Sequence, residues 1–257
     1  GYDRCGSPTW SNDGTRIAYD VMPGTSIRRT LMKAISAGKD GVNVTDLGLG
    51  NCPIFSAEDD RIIFLNHSQQ GTRGIWIMQA DGSNRRPLQG YGRTKWSPDG
   101  HRFLVISLAP PCTVTVIDDR PGKQSGQLEI PGQNIYLDPI WIGDGVILAP
   151  IGETTAESIA LVDVNNPEQA VVKEVLWTRG KNLDVEPSYP LYSARTGRLV
   201  FVGTDQQMNQ SLYLLERGKK TPPRRLEPGV QSNETRDLAL SPDGRYVLFA
   251  GNREERP

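Results

Sequence analysis

The side chains able to do chemistry are few. There are only two histidines. His67 stands in Asn66-His67-Ser68-Gln69-Gln70-Gly71 and His101 follows a turn glycine, so both read as solvated loop residues. No His-Glu-x-x-His or paired Cys-x-x-Cys is present, so a zinc ion has no ligand set. No Gly-x-Ser-x-Gly elbow and no Gly-x-x-x-x-Gly-Lys phosphate loop is present either. The aspartates Asp13, Asp99 and Asp243 invite a carboxylate mechanism, but each precedes a glycine. There Asp bonds its own backbone and Gly accepts positive φ, which makes a turn. The expectation is a chain with no catalytic residue, no metal site and no cofactor.

Those aspartates belong to a recurring stretch. Lys95-Trp96-Ser97-Pro98-Asp99-Gly100-His101-Arg102-Phe103-Leu104-Val105-Ile106 is an aromatic residue, a tight turn and a strand apolar on both faces. Such a strand is sandwiched between two other layers. Copies occur around Trp10, Phe55, Trp141, Tyr189 and Leu240, so the anchors Trp10, Phe55, Trp96, Trp141, Tyr189 and Leu240 are spaced 45, 41, 45, 48 and 51 residues apart. Periods of about 40–50 residues with several strands each indicate propeller blades. The expected fold is all-β: a six-bladed β-propeller of four-stranded blades with an incomplete last blade. The 257 residues are expected to be one domain, with blades near 6–50, 51–90, 91–135, 136–182, 183–232 and 233–257. Each anchor aromatic is expected to pack against the next blade. Blade six has sequence for two strands only, so its open edge is expected to contact a missing domain, a partner or a symmetry mate.

The stretch Trp96-Ser97-Pro98-Asp99-Gly100 resembles the TolB-type propeller repeat. So does the second strand pair of blade two, Gly74-Ile75-Trp76-Ile77-Met78-Gln79-Ala80-Asp81-Gly82-Ser83-Asn84-Arg85-Arg86-Pro87-Leu88. The resemblance spans all six copies, but not the amino-terminal α/β domain that TolB itself carries. It implies a propeller and a periplasmic or extracytoplasmic setting; a protein or peptide is the partner expected at the face around the channel. Peptidases of the prolyl oligopeptidase kind carry a related propeller beside their catalytic domain, which makes an accessory gating or sensor propeller the alternative role.

Composition narrows the partners. The net charge is −1 and 37% of residues are hydrophobic. No basic stripe suggests nucleic acid, and no run approaches the ~20 apolar residues of a membrane span. Three cysteines, Cys5, Cys52 and Cys112, exclude a full disulfide framework. Buried free thiols are the default. A Cys5–Cys52 bridge is the open alternative, since both precede anchors on neighbouring inner strands. In a propeller the innermost strands line the channel, and their ends form the usual binding face. The residues three before each anchor are Ser7, Cys52, Arg93, Asp138, Glu186 and Asp237. The charged members, Arg93, Asp138, Glu186 and Asp237, are the candidate binding residues at the channel mouth. Their clustered acid would attract a cation or a basic peptide end.

Overall fold

The computed structural model describes residues 4–22, 31–39, 41–67, 72–88, 90–107, 113–120, 125–136, 138–180, 182–219, 221–226, 230–231, 238–241, 243–249 and 252–253. The chain forms two compact units, Gly1–Leu108 with Thr115–Ser125, and Ala109–Val114 with Gly126–Pro257. The first sheet runs β1 (Arg4–Trp10), β2 (Arg16–Met22), β3 (Leu31–Gly38) and β4 (Gly41–Leu49) in sequence order. The second runs β5 (Asn51–Phe55), β6 (Arg61–Asn66), β7 (Gly74–Gln79) and β8 (Arg86–Pro87). The third holds β9 (Arg93–Trp96), β10 (Arg102–Ile106), β11 (Val114–Asp118) and β12 (Gly126–Gln127). In the fourth, β13 (Asn134–Ile135) and β14 (Ile140–Gly143) both pair with β15 (Val146–Gly152), followed by β16 (Ser158–Asp163) and β17 (Val171–Thr178). The fifth is β18 (Glu186–Ser193), β19 (Arg198–Thr204), β20 (Gln210–Glu216) and β21 (Arg224–Arg225). Two short pairs follow: β22 (Val230–Gln231) with β25 (Asn252–Arg253), and β23 (Leu238–Leu240) with β24 (Val247–Phe249). Each full sheet is an antiparallel meander, the form of a propeller blade.

The turns form as their sequence dictates. Ser11 Oγ donates to Asp13 Oδ1 at 2.6 Å, and the Thr15 and Arg16 amides donate to Asp13 Oδ1 and Ser11 Oγ, both at 2.9 Å. Ser97 with Asp99, and Ser241 with Asp243, repeat the arrangement. These bonds hold the Asp13 carboxyl down to about 2, with the Ser11 hydroxyl contributing most. A carboxylate so engaged is turn structure.

The inner strands carry a second device. In β1, Ser7-Pro8 sits opposite the single residue Tyr19; in β5, Cys52-Pro53 sits opposite Phe64; in β18, Tyr189-Pro190 sits opposite Phe201. Each is a bulge, two residues against one. Proline is tolerated there because a bulged residue makes no ladder bond. The residue before it takes positive φ, 45° at Ser7, 50° at Cys52 and 47° at Tyr189. In the fourth sheet the inner strand is broken between β13 and β14, and Asp138, before Pro139, has φ 69°.

These bulges correct two expectations. In the fifth sheet the bulge falls at Tyr189-Pro190, so Tyr192 and the buried Ser193 take the places that Trp96 and Ser97 hold in the third. The anchor is Tyr192, not Tyr189. Two proline-led stretches, Pro187-Ser188-Tyr189 and Pro190-Leu191-Tyr192, compete in the sequence, and only the pairing with β19 shows which one carries the bulge. Phe55 and Trp96 also face the preceding sheet, not the next. Phe55 packs with Ala18, Met32 and Leu47, and Trp96 Nε1 donates to the Ile54 carbonyl at 3.3 Å. Trp10 is 64% exposed, so it lacks the buried staple role expected of it. The strand expected to be apolar on both faces is so: Phe103, Leu104, Val105 and Ile106 are all buried. Among the described residues, β23 and β24 pair within the span expected for blade six, and β25 follows them, paired with β22.

Candidate functional site

Of the described candidate binding residues, Arg93 and Glu186 open inner strands and Asp138 precedes one, each in its own environment. Ser7 and Cys52 meet across the first two sheets, with Ser7 Oγ 3.4 Å from Cys52 Sγ. The Cys52 amide donates to Asp20 Oδ2 at 2.9 Å. Asp20 lies over Gly6, where an added Cβ would come within 2.9 Å of Asp20 Oδ1. Cys5 and Cys52 are both free thiols. Cys5 is exposed, against the expectation of burial, because it lies at the open start of β1. Cys112 and Asp237 lie outside the described residues.

Arg93 opens β9 opposite Ile106 and is half-buried; its strand has no proline and no bulge. Asp138 is half-buried at the break between β13 and β14. Glu186 opens β18 opposite Thr204 and stands three residues before the bulge. It is therefore not equivalent to Ser7, Cys52 and Asp138, whose counterpart in this sheet is Tyr189.

Glu186 nevertheless belongs to a polar cluster in the second unit. Arg179, just past β17, hydrogen-bonds through Nε to Asp184 Oδ1, and Gln206 Nε2 donates to Asp184 Oδ2 at 2.8 Å. The bond from Arg179 is the main reason that the Asp184 carboxyl is held below its usual range. The charges of Glu186 and Glu157 act on the Arg179 guanidinium, and both act on the Tyr136 hydroxyl. Burial, followed by those two carboxylates, holds the Tyr136 phenol above its usual value, although Asn134 hydrogen-bonds to it. Backbone bonds fix the frame: the Arg179 amide donates to the Glu157 carbonyl at 2.8 Å, and the Tyr136 amide to the Pro150 carbonyl at 2.9 Å. Among the described residues of this cluster, Glu157, Asp184 and Glu186 act on one strong cation, Arg179.

Such an arrangement suits a positively charged or hydrogen-bond-donating group. Among the described residues it holds no nucleophile next to a base, the pairing that covalent catalysis needs. Among the described residues no group of three or more His, Cys, Asp or Glu side chains could hold a metal ion. The sequence pointed to Glu186 and missed Tyr136, Glu157, Arg179, Asp184 and Gln206. These come from connections that do not recur with the repeat, so periodicity carries no signal for them.

No family model matches this sequence, and no curated protein sequence does. Solved structures do match. A protein assigned as TolB from Agrobacterium tumefaciens aligns over 96% of this chain and 91% of its own, with a TM-score of 0.57 and 17% identity. TolB of Acinetobacter baumannii aligns over 97% of this chain and 55% of its own, with a TM-score of 0.53 and 17% identity. A prolyl endopeptidase aligns over 97% of this chain and 38% of its own, with a TM-score of 0.69 and 15% identity. The chain thus spans about half of the second structure and well under half of the third. The fold is that of the TolB-type β-propeller, shared with the propeller domains of such peptidases. Among the described residues no helix is long and apolar enough to cross a membrane.

Proposed function

We propose that this chain is a non-catalytic, extracytoplasmic binding propeller that takes a protein or peptide partner at the ends of its inner strands. The observation that carries this reading is the surplus of acid around Glu186 among the described residues, where Glu157 and Asp184 join it against the guanidinium of Arg179. The partner's contribution is a basic group, such as a lysine, an arginine or a chain amino terminus. Arg93, Asp138 and Asp237 are further contact residues in this proposal. The test is capture from the native source with wild-type chain and with Asp138→Lys, Glu186→Lys and Asp237→Lys together. Capture that is lost on reversal and weakens with salt supports the reading. Unchanged capture refutes it.

A second reading has its own support. The prolyl endopeptidase likeness has a TM-score of 0.69, above those of the two TolB structures. On this reading the chain is the substrate-gating or sensor propeller of a larger enzyme or receptor. A catalytic or membrane-spanning segment encoded in the same gene, joined to this propeller, would favour it over free-standing binding.

A further inference from the structure

The outer strands of the sheets are unequal. β8, β12 and β21 have two residues each. β8 is Arg86-Pro87 and β21 is Arg224-Arg225, both unfit to template another strand. β17 is longer but carries Lys173 and Glu174 in its middle, each in an ion pair, to Asp163 at 2.9 Å and to Arg217 at 2.6 Å. Short length, charge and proline are the usual ways to blunt a sheet edge. β4 is neither short nor proline-bearing; its one charge, Asp46, and the bulge in its pairing with β3 fall at the far end of the stretch. It is nine residues long, Gly-Val-Asn-Val-Thr-Asp-Leu-Gly-Leu, with no lysine, arginine or proline. Among the described residues it pairs only with β3, and residues 41–46 are all exposed, including Val42 at 63% and Val44 at 58%. The far end is anchored instead: Leu47 is buried in the core, and Arg85 bonds to the Leu49 carbonyl.

We infer that residues 41–46 of β4 are a strand-addition site for an extended peptide with β-branched residues at alternate positions. This surface is separate from the acidic cluster of the proposed function. Six residues match the usual strand length of about 5–6, and the added strand gains main-chain bonds along the edge with side-chain contacts to Val42 and Val44. The size of the edge selects the occupant. A stable interface between folded proteins takes about 20–30 residues a side, so a contact between two copies confined to this edge is too small, whereas a peptide needs only the strand's length. The one ionisable side chain among these six is Asp46, at the end of the stretch. An antiparallel peptide begins beside it, so a lysine at the peptide's start is favoured.

The test is titration of isotopically labelled protein with acetyl-Lys-Thr-Val-Thr-Val-Thr-amide, followed by amide chemical shifts. Saturable shifts centred on residues 41–46 are expected. A copy of the peptide N-methylated at alternate residues, which cannot donate along one edge, should lose binding. Val42→Lys with Val44→Lys should weaken binding about tenfold, since edge charge opposes strand addition. Val42→Thr with Val44→Thr, which keeps strand propensity without charge, should bind within about threefold of wild type. Shifts confined elsewhere, or equal binding of the methylated peptide, would overturn the inference. So would self-association without peptide that the lysine variant abolishes, which would assign the edge to a second copy.

Discussion

Arg61 offers the sharpest test of how neighbouring sheets hold together. Its guanidinium lies 5.3 Å from the Trp96 ring centroid, donates to the Gly100 carbonyl at 2.8 Å, and pairs with Asp119, whose side chain is 4% exposed. Arg16 does the same one sheet earlier, 4.9 Å from the Phe55 centroid with a 2.6 Å bond to the Asp59 carbonyl; Arg198 bonds to the Gly244 carbonyl at 3.0 Å. Arg61→Ala removes a stack worth about 0.5–1 kcal/mol and a charged hydrogen bond worth about 1.5–3 kcal/mol. It also strands the Asp119 carboxylate, and breaking a buried pair this way costs about 3–5 kcal/mol. These contributions overlap and do not add, so a loss of about 3–5 kcal/mol is expected at neutral pH. Urea unfolding followed by tryptophan fluorescence would measure it. Burial already pushes the Asp119 carboxyl up, with Arg61 opposing. In the variant that opposition is gone, so Asp119 takes up a proton more readily and the loss should shrink as pH falls toward 5. Arg61→Met with Asp119→Leu, which leaves no buried charge, should be less destabilised than Arg61→Met alone. A loss under about 1 kcal/mol for Arg61→Ala, or one independent of pH, would refute the staple.

Further outcomes follow from the same geometry. Asp13 is held to about 2 against an ordinary 3.8, and the hydrogen bond from Ser241 likewise lowers Asp243. A folded value below the unfolded one stabilises above the ordinary value and is lost as pH falls through the folded one. The melting temperature should therefore drop between about pH 4 and pH 2, and Asp13→Asn should flatten that drop in a calorimetric series. Gly50 has φ 150°, and a Cβ there would lie 2.5 Å from Phe64 Cδ2; Gly50→Ala should cost about 2–3 kcal/mol in urea unfolding. Ser7, exposed at φ 45°, should tolerate Ser7→Gly with a change of about 1 kcal/mol or less, and a larger loss would show that the bulge needs its side chain.

The sequence by itself determined the architecture. Apolar strands such as Phe103–Ile106, the Ser-x-Asp-Gly turns and the near-regular period are local properties, and each specifies its element without help from distant residues. Because turn and strand chemistry repeat, a few good copies fixed the class of fold. The tertiary structure alone decided what lies across sheets. Tyr192, not Tyr189, is the anchor because the bulge falls at Pro190 rather than Pro187, a choice that shows only when the partner strand is aligned. Arg61 and Asp119 are far apart in sequence, and nothing along the chain marks them as partners. The cluster of Tyr136, Glu157, Arg179, Asp184 and Glu186 is assembled from connections of different sheets. Periodicity reports which residues face the core; which charges meet depends on how the connections fold back in three dimensions.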